Sequence, residues 1–151
     1  MRLDRNAFRM KILLADPHLE VRAALRLVLE QQPSICVIGE ARDTIELFSL
    51  VTNECPDIVI LDPDLPGVQL TRRVTSASLT KLIEILHKLC PALRVICLSS
   101  QPNVEKDCIL ANSDAFFCKS DLPDALLALL QHLLSGSSGE TSPKSGIGTP
   151  F

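Results

Sequence analysis

The sequence predicts a single α/β domain built on a parallel, doubly wound sheet of five strands. Short apolar runs alternate five times with segments of helical periodicity. Each intervening segment is long enough to hold a crossover helix, which parallel strands require and hairpins do not. The uninterrupted apolar run Ile58 to Leu61, set between Pro56 and Pro63, reads as a central strand buried on both faces. A chain of 151 residues, 46% of them hydrophobic, can build one sizeable core and has little left for a second.

The elements follow in order. Met10 to Ala15 (MKILLA) is the first strand and ends at Asp16. From His18 the period becomes helical: Val21, Leu25, Val28 and Leu29 share the apolar side, with Arg22, Arg26 and Glu30 placed on other faces. Gln31, Gln32 and Pro33 close that helix. Ile35 to Ala41 (ICVIGEA) is the second strand. Asp43 then stands three residues before Glu46, a capping arrangement for a helix through Ile45, Leu47, Phe48, Leu50 and Val51. The central strand comes third and stops in Asp62, Pro63, Asp64, Leu65, Pro66 and Gly67, a turn composition that cannot continue a strand. Residues 68–77 mix Thr, Ser and Arg without an apolar stripe and read as a loop inserted beside that turn.

Leu79, Leu82, Ile83, Leu86 and Leu89 mark an amphipathic helix stopped by Cys90-Pro91. Residues 94–98 (RVICL) form the fourth strand, which ends in Ser99-Ser100. Pro102 suits a first helical turn, and Val104, Cys108, Ile109 and Ala111 give the short helix one apolar side. Ala115 to Cys118 (AFFC) is the fifth strand, ending at Lys119. Ser120 can cap a last helix with Leu122, Leu126, Leu129, Leu130 and Leu133 facing inward and Pro123 in its first turn. Residues 1–9 are expected to form a flexible leader, 10–134 the folded domain, and 135–151, rich in Gly, Ser, Thr and Pro, a disordered tail.

Composition excludes several function classes. A net charge of -3 offers no basic excess for nucleic acid or a membrane surface, and Arg72-Arg73 is too short to be a footprint. No signal-peptide or membrane-spanning run appears. Six scattered cysteines contain no C-x-x-C; Cys36, Cys97 and Cys118 fall in strands as small hydrophobes. The expectation is a cytoplasmic protein with reduced thiols. His87 and His132 lack acidic or cysteine partners at ligand spacing and read as surface or boundary residues, and His18 reads as a surface residue at a helix start rather than a ligand.

Strand ends carry the chemistry. In an open parallel sheet, ligands gather outside the carboxyl ends of the strands. With the flavodoxin-like order 2-1-3-4-5, strands one, three, four and five are consecutive neighbours, so Asp16, Asp62, Ser99 and Lys119 converge. Two carboxylates, a hydroxyl and an ammonium suit a phosphoryl group. One carboxylate can accept it, the other can help hold a divalent metal, and the hydroxyl and ammonium can bind its oxygens.

The four motifs at these ends, ILLADPH, DIVILDPDLPG, RVICLSS and AFFCKSD, resemble in order those of the CheY-like receiver domain of two-component response regulators, over residues 10–134. The resemblance implies that Asp62 accepts phosphate from a sensor histidine kinase or phosphotransfer protein. It assigns Ser99 as the switch hydroxyl, Phe116 as the switch aromatic and Lys119 as the phosphate-binding lysine. It further implies magnesium held by Asp16, Asp62 and the backbone carbonyl of Asp64. Two departures stand out: Pro17 occupies the position of an acid that touches the metal directly, and the glycine usual shortly after the LPG turn is missing. With no output domain expected after the last helix, the implied function is a non-enzymatic phosphorelay receiver. It would signal to a downstream protein, with a homodimer through the fourth and fifth helices as a further implied contact. A degenerate receiver that binds its partner constitutively is the alternative. An aspartyl-phosphate hydrolase of haloacid dehalogenase type, suggested by Asp62-Pro63-Asp64, is a remote one.

Overall fold

The computed structural model describes residues 9–68, 76–121 and 123–135. Five strands alternate with five α-helices: β1 (Met10–Ala15), α1 (Leu19–Leu29), β2 (Ile35–Ala41), α2 (Thr44–Glu54), β3 (Ile58–Leu61), α3 (Ser76–Leu89), β4 (Arg94–Ser99), α4 (Glu105–Leu110), β5 (Ala115–Cys118) and α5 (Asp124–Ser135). Single 3-10 turns at Pro102–Val104 and Lys119–Asp121 follow β4 and β5. The sheet order is β2-β1-β3-β4-β5, every pair parallel, as the alternation of elements requires.

Side-chain alternation along the strands divides the core in two. Leu13 and Ala15 of β1, Val59 and Leu61 of β3, and Val95 and Cys97 of β4 pack toward α2, α3 and α4 through Leu47, Val51, Leu79, Ile83, Leu86 and Cys108. Ile12, Leu14, Ile58, Ile60, Ile96 and Leu98 point the other way, toward Leu25 and Leu29 of α1 and Leu126 and Leu130 of α5. All four residues of β3 are buried because they serve both cores, whereas β5, at an edge, is half-buried throughout.

Some local signals act as the sequence indicates and others do not. The last helix, α5, begins at Asp124, so Ser120, expected as its cap, lies in the preceding 3-10 turn and Pro123 lies before the helix. Leu89, expected on the apolar side of α3, is exposed. The Asp43 side chain accepts the Glu46 amide at the start of α2, and Glu46 reaches back to accept the Arg42 amide. Gly67 ends the turn after β3 with φ +102°, and a Cβ there would run into the Thr44 side chain, so glycine is required. Ser76 and Ala77, expected in a loop, already belong to α3; residues 69–75 of that loop lie outside the described residues. Residues 1–8, Leu122 and 136–151 lie outside them as well. Ile45, expected on the apolar side of α2, is 77% exposed, and Ile109 of α4 is exposed too. Arg22, placed on an outer face, is buried.

The expectation of six reduced thiols is corrected by a disulfide between Cys55 and Cys90, whose Cα atoms lie 5.6 Å apart across 35 residues of sequence. Cys55 is the left-handed C-cap of α2, and Cys90 directly follows α3. The two helices cover the same face of the sheet and finish at the same end of it, which sequence spacing does not reveal. Cys36, Cys97, Cys108 and Cys118 are free. Hydrogen bonding with Cys108 and burial push the Cys97 thiol well above its usual range, in keeping with a packing role.

Thiol titration of the air-oxidised, denatured chain should find four reactive thiols, rising to six after reduction. Cys55→Ser should lose about 2–4 kcal/mol of stability relative to the oxidised parent. Six thiols before reduction would show that the bond does not form.

Candidate functional site

The carboxyl ends of β1, β3 and β5 bring two carboxylates onto one ammonium. Asp16 follows β1 with its amide bonded to the Ala41 carbonyl, and Asp62 follows β3 with its amide bonded to the Ala15 carbonyl. The two acids therefore sit side by side at the ends of adjacent strands, 2% and 3% exposed. Lys119, at the end of β5, places Nζ 2.7 Å from Asp62 Oδ2 and 2.9 Å from Asp16 Oδ2. Asp62 Oδ1 accepts the Asp64 amide at 2.7 Å, so the turn after β3 orients the carboxylate it follows.

His18 enters the same group. Its backbone amide donates to Asp16 Oδ1 at 2.8 Å, and its ring Nδ1 stands 3.1 Å from the same oxygen. The side chain is 57% exposed, as a surface residue should be, yet it borders the pocket. Asp16, His18 and Asp62 each offer one ligand atom within 4.8 Å of the others. Asp16 Oδ2 is buried and is met by the Lys119 ammonium. Two inward carboxylates side by side are a donor set that fits a small cation.

Ser99 and Phe116 lie close in the fold and outside the direct contacts. Ser99 is buried at the end of β4, where Oγ accepts the Gln101 amide at 2.9 Å. Phe116 pairs with Cys97 across the β4 and β5 ladder and is half-buried against the α2, α3 and α4 side of the core. Asp64 is exposed, and its contact with Asp62 runs through its backbone.

Comparisons with known proteins find similar sequences and folds. No protein-family model matches the chain. LiaR of Bacillus subtilis, a transcriptional regulatory protein, is 37% identical over 68 residues, 43% of this chain and 32% of LiaR. BvgA of Bordetella pertussis, named as a transcription regulator of virulence factors, is 28% identical over 116 residues, 74% of this chain and 49% of BvgA. The chain spans about half, or less, of the length of the curated relatives it matches. Among solved structures, a LuxR-family two-component response regulator from Aurantimonas sp. SI85-9A1 is similar with TM-score 0.68 and 25% identity, over 85% of this chain and 86% of that one. The isolated REC domain of Salmonella enterica serovar Typhimurium RcsB, solved with the phosphomimetic BeF3-, gives TM-score 0.70 at 24% identity, over 85% and 90%. The chain has the fold of a response-regulator receiver domain.

Sequence reasoning overlooked one support of the receiver pocket. Arg22 Nη1 donates to the Asp16 backbone carbonyl at 2.8 Å, while its Nε donates to Glu40 Oε1 at 2.8 Å. Arg26 holds the other Glu40 oxygen at 2.7 Å. Burial opposes ionisation of Glu40, but the hydrogen bonds and charges of the two arginines outweigh it and hold its pKa below the usual value. The signal was present: Arg22 is three residues before Leu25 and seven before Leu29, on the same helical stripe.

Burial pushes the Asp62 carboxyl above its ordinary pKa, and the charge of Asp16 adds to the rise; the Lys119 and Asp64 hydrogen bonds and the Lys119 charge only partly offset it. Burial lowers the Lys119 pKa, but its hydrogen bonds and charge attraction to Asp62 and Asp16 prevail and hold the ammonium above its ordinary value. The stabilising contribution of Lys119 is therefore fully present below its unfolded pKa and is lost as pH rises through the raised native value. That of Asp62 is likewise present below its unfolded pKa and lost as pH rises through its own raised value, so at neutral pH the ionised carboxylate costs stability. Asp62→Asn should melt higher than the native chain at neutral pH. The gain should close as pH falls below the ordinary carboxylate range, where Asp62 is protonated in both states. Thermal melts of both proteins across that range measure it, and a gain that grows on acidification would contradict the sign.

Proposed function

We propose that residues 10–134 act as a phosphorelay receiver in the cytoplasm, taking a phosphoryl group onto Asp62 from a histidine kinase or phosphotransfer protein. The observation that carries this reading is the meeting of two buried carboxylates and one ammonium at three strand ends. An Asp62 carboxylate oxygen forms a bond to phosphorus as the bond from phosphorus to the donor's imidazole nitrogen breaks. The electron pair returns to the imidazole, which takes a proton from water. Lys119 Nζ, already at Asp62 Oδ2, meets phosphoryl charge as it develops there. Asp16, Asp62 and the Asp64 carbonyl would hold a magnesium ion, which when bound neutralises charge between the anions. Ser99 Oγ leaves the Gln101 amide for the phosphoryl group, and Phe116 turns with it, shifting the population of the surface around β5 that a downstream protein or second copy reads. The chemistry is stoichiometric acceptance, so the domain acts by contact and not as an enzyme.

Pro17 favours one other reading. It offers no ligand atom where an acid would touch the metal, which suits a degenerate receiver that binds its partner constitutively. Incubation with a small phosphodonor and magnesium, followed by intact mass measurement, separates the two. The receiver reading expects the mass of one phosphoryl group on the native chain and none on Asp62→Asn. No gain on the native chain, with magnesium binding indifferent to Asp62→Asn, would establish the degenerate form. Steady release of phosphate from a generic phosphate ester would instead point to a hydrolase.

A further inference from the structure

We propose that the Cys55–Cys90 pair is a thiol–disulfide exchange site, in which the exposed Cys55 sulfur engages a low-molecular-weight disulfide or thiol and the buried Cys90 sulfur resolves the mixed disulfide. The acid pocket at the opposite end of the sheet takes no part in it.

The two residues differ in access. Cys55 is exposed, whereas Cys90 is 3% exposed. Exchange proceeds by attack of a thiolate on a disulfide sulfur, so a small reagent can engage Cys55 and is kept from Cys90 by packing. A bond with an exposed member belongs to the labile class that small thiols open and close. The backbone at both cysteines is held without the bond. The Cys55 amide donates to the Val51 carbonyl at 2.9 Å, the Cys90 amide donates to the Leu86 carbonyl at 2.9 Å, and the Cys90 carbonyl accepts the Leu93 amide at 3.1 Å. An open pair therefore keeps its Cα separation of 5.6 Å, which a disulfide spans. The released Cys90 thiol also has an acceptor in place, the Pro56 carbonyl oxygen 3.8 Å from its sulfur. The residue chosen at position 55 points the same way. Its φ of 42° lies in the left-handed region, where a helix most often ends on glycine. Cysteine gains nothing from that backbone and brings only its sulfur to the surface.

Closure takes two displacements. The Cys55 thiol gives its proton to water and attacks one sulfur of a small disulfide RSSR, whose S–S bond breaks as RS− leaves. The Cys90 thiol then gives its proton to water and attacks Cys55 Sγ, forming the protein disulfide and expelling the second RS−. Both RS− take protons from solvent, so two protein thiols are oxidised while RSSR is reduced to two RSH. Opening runs the same path backward: RS− attacks Cys55 Sγ, Cys90 leaves and takes a proton, and a second RS− frees Cys55. The bland alternative is a bond that forms once and serves only as a tether between α2 and α3, with no preferred sulfur for exchange.

Oxidised glutathione, added to the reduced and folded full chain and to its Cys90→Ser and Cys55→Ser variants, decides between them. Intact mass counts the adducts and peptide mapping places them, since Cys36, Cys97, Cys108 and Cys118 are free as well. Cys90→Ser should accumulate a glutathionyl group on Cys55, because its resolving sulfur is gone. Cys55→Ser should gain none on Cys90. The native chain should pass through the Cys55 adduct and end at the closed bond. No adduct on Cys55, or equal adducts on Cys55 and Cys90 in the two variants, would overturn the assignment. Alkylation of the reduced native chain with iodoacetamide gives a reading that needs no substitution. Cys55 should react at least about tenfold faster than Cys90. Equal rates would sink the proposal even where a variant failed to fold.

Discussion

The Lys119 ammonium between Asp16 and Asp62 is the interaction on which the site depends. Two carboxylates buried beside each other lose hydration and repel, and neither cost is recovered by the apolar strands they terminate. The sheet order creates the difficulty, since adjacency of β1 and β3 puts the acids at neighbouring strand ends. It also supplies the remedy from farther away: β5 is two strands from β3, and only a long, flexible side chain can cross the end of β4 to reach both acids. An arginine would bring a wider, planar head to the same gap, and a shorter cation would not arrive.

Around that fixed centre the remaining polar groups are held by other partners. The Ser99 hydroxyl belongs to the Gln101 amide, and Phe116 belongs to the core. Asp16 is braced from behind, where Arg22 ties its carbonyl to Glu40 and so to β2 and α1. The pocket therefore combines a rigid acid pair and its lysine with a periphery whose contacts must be exchanged for anything new to form.

Much of this was legible in the sequence because the fold writes itself in period and punctuation. Apolar runs bounded by Pro, Gly and acid located every strand, and the turn from strand to polar residue located Asp16, Asp62, Ser99 and Lys119. What escaped depends on distances that spacing does not encode. Cys55 and Cys90 meet because two helices end at the same side of the sheet. Arg22 was assigned outward by its charge although its spacing from Leu25 and Leu29 placed it inward, and burial was possible only because Glu40 arrives from another strand. Ile45 and Ile109 were assigned inward by hydrophobicity, yet they fall off the stripe defined by Leu47, Val51 and Cys108, and single exposed apolar residues carry little cost. His18 kept its surface character and still bordered the pocket, since two residues of turn are enough to fold a side chain back on Asp16.

The Cys55–Cys90 bond lies where β3 and β4 begin, at the far end of the sheet from the acids. It fastens the trailing ends of α2 and α3 while the ends nearest the reacting groups stay unlinked. A domain fastened this way can be made harder to unravel, and so slower to be digested, without touching the groups that do its chemistry. Resistance to unravelling is thereby set at one pole of the sheet, by the redox state around it, while the buried acids and their lysine stand at the other.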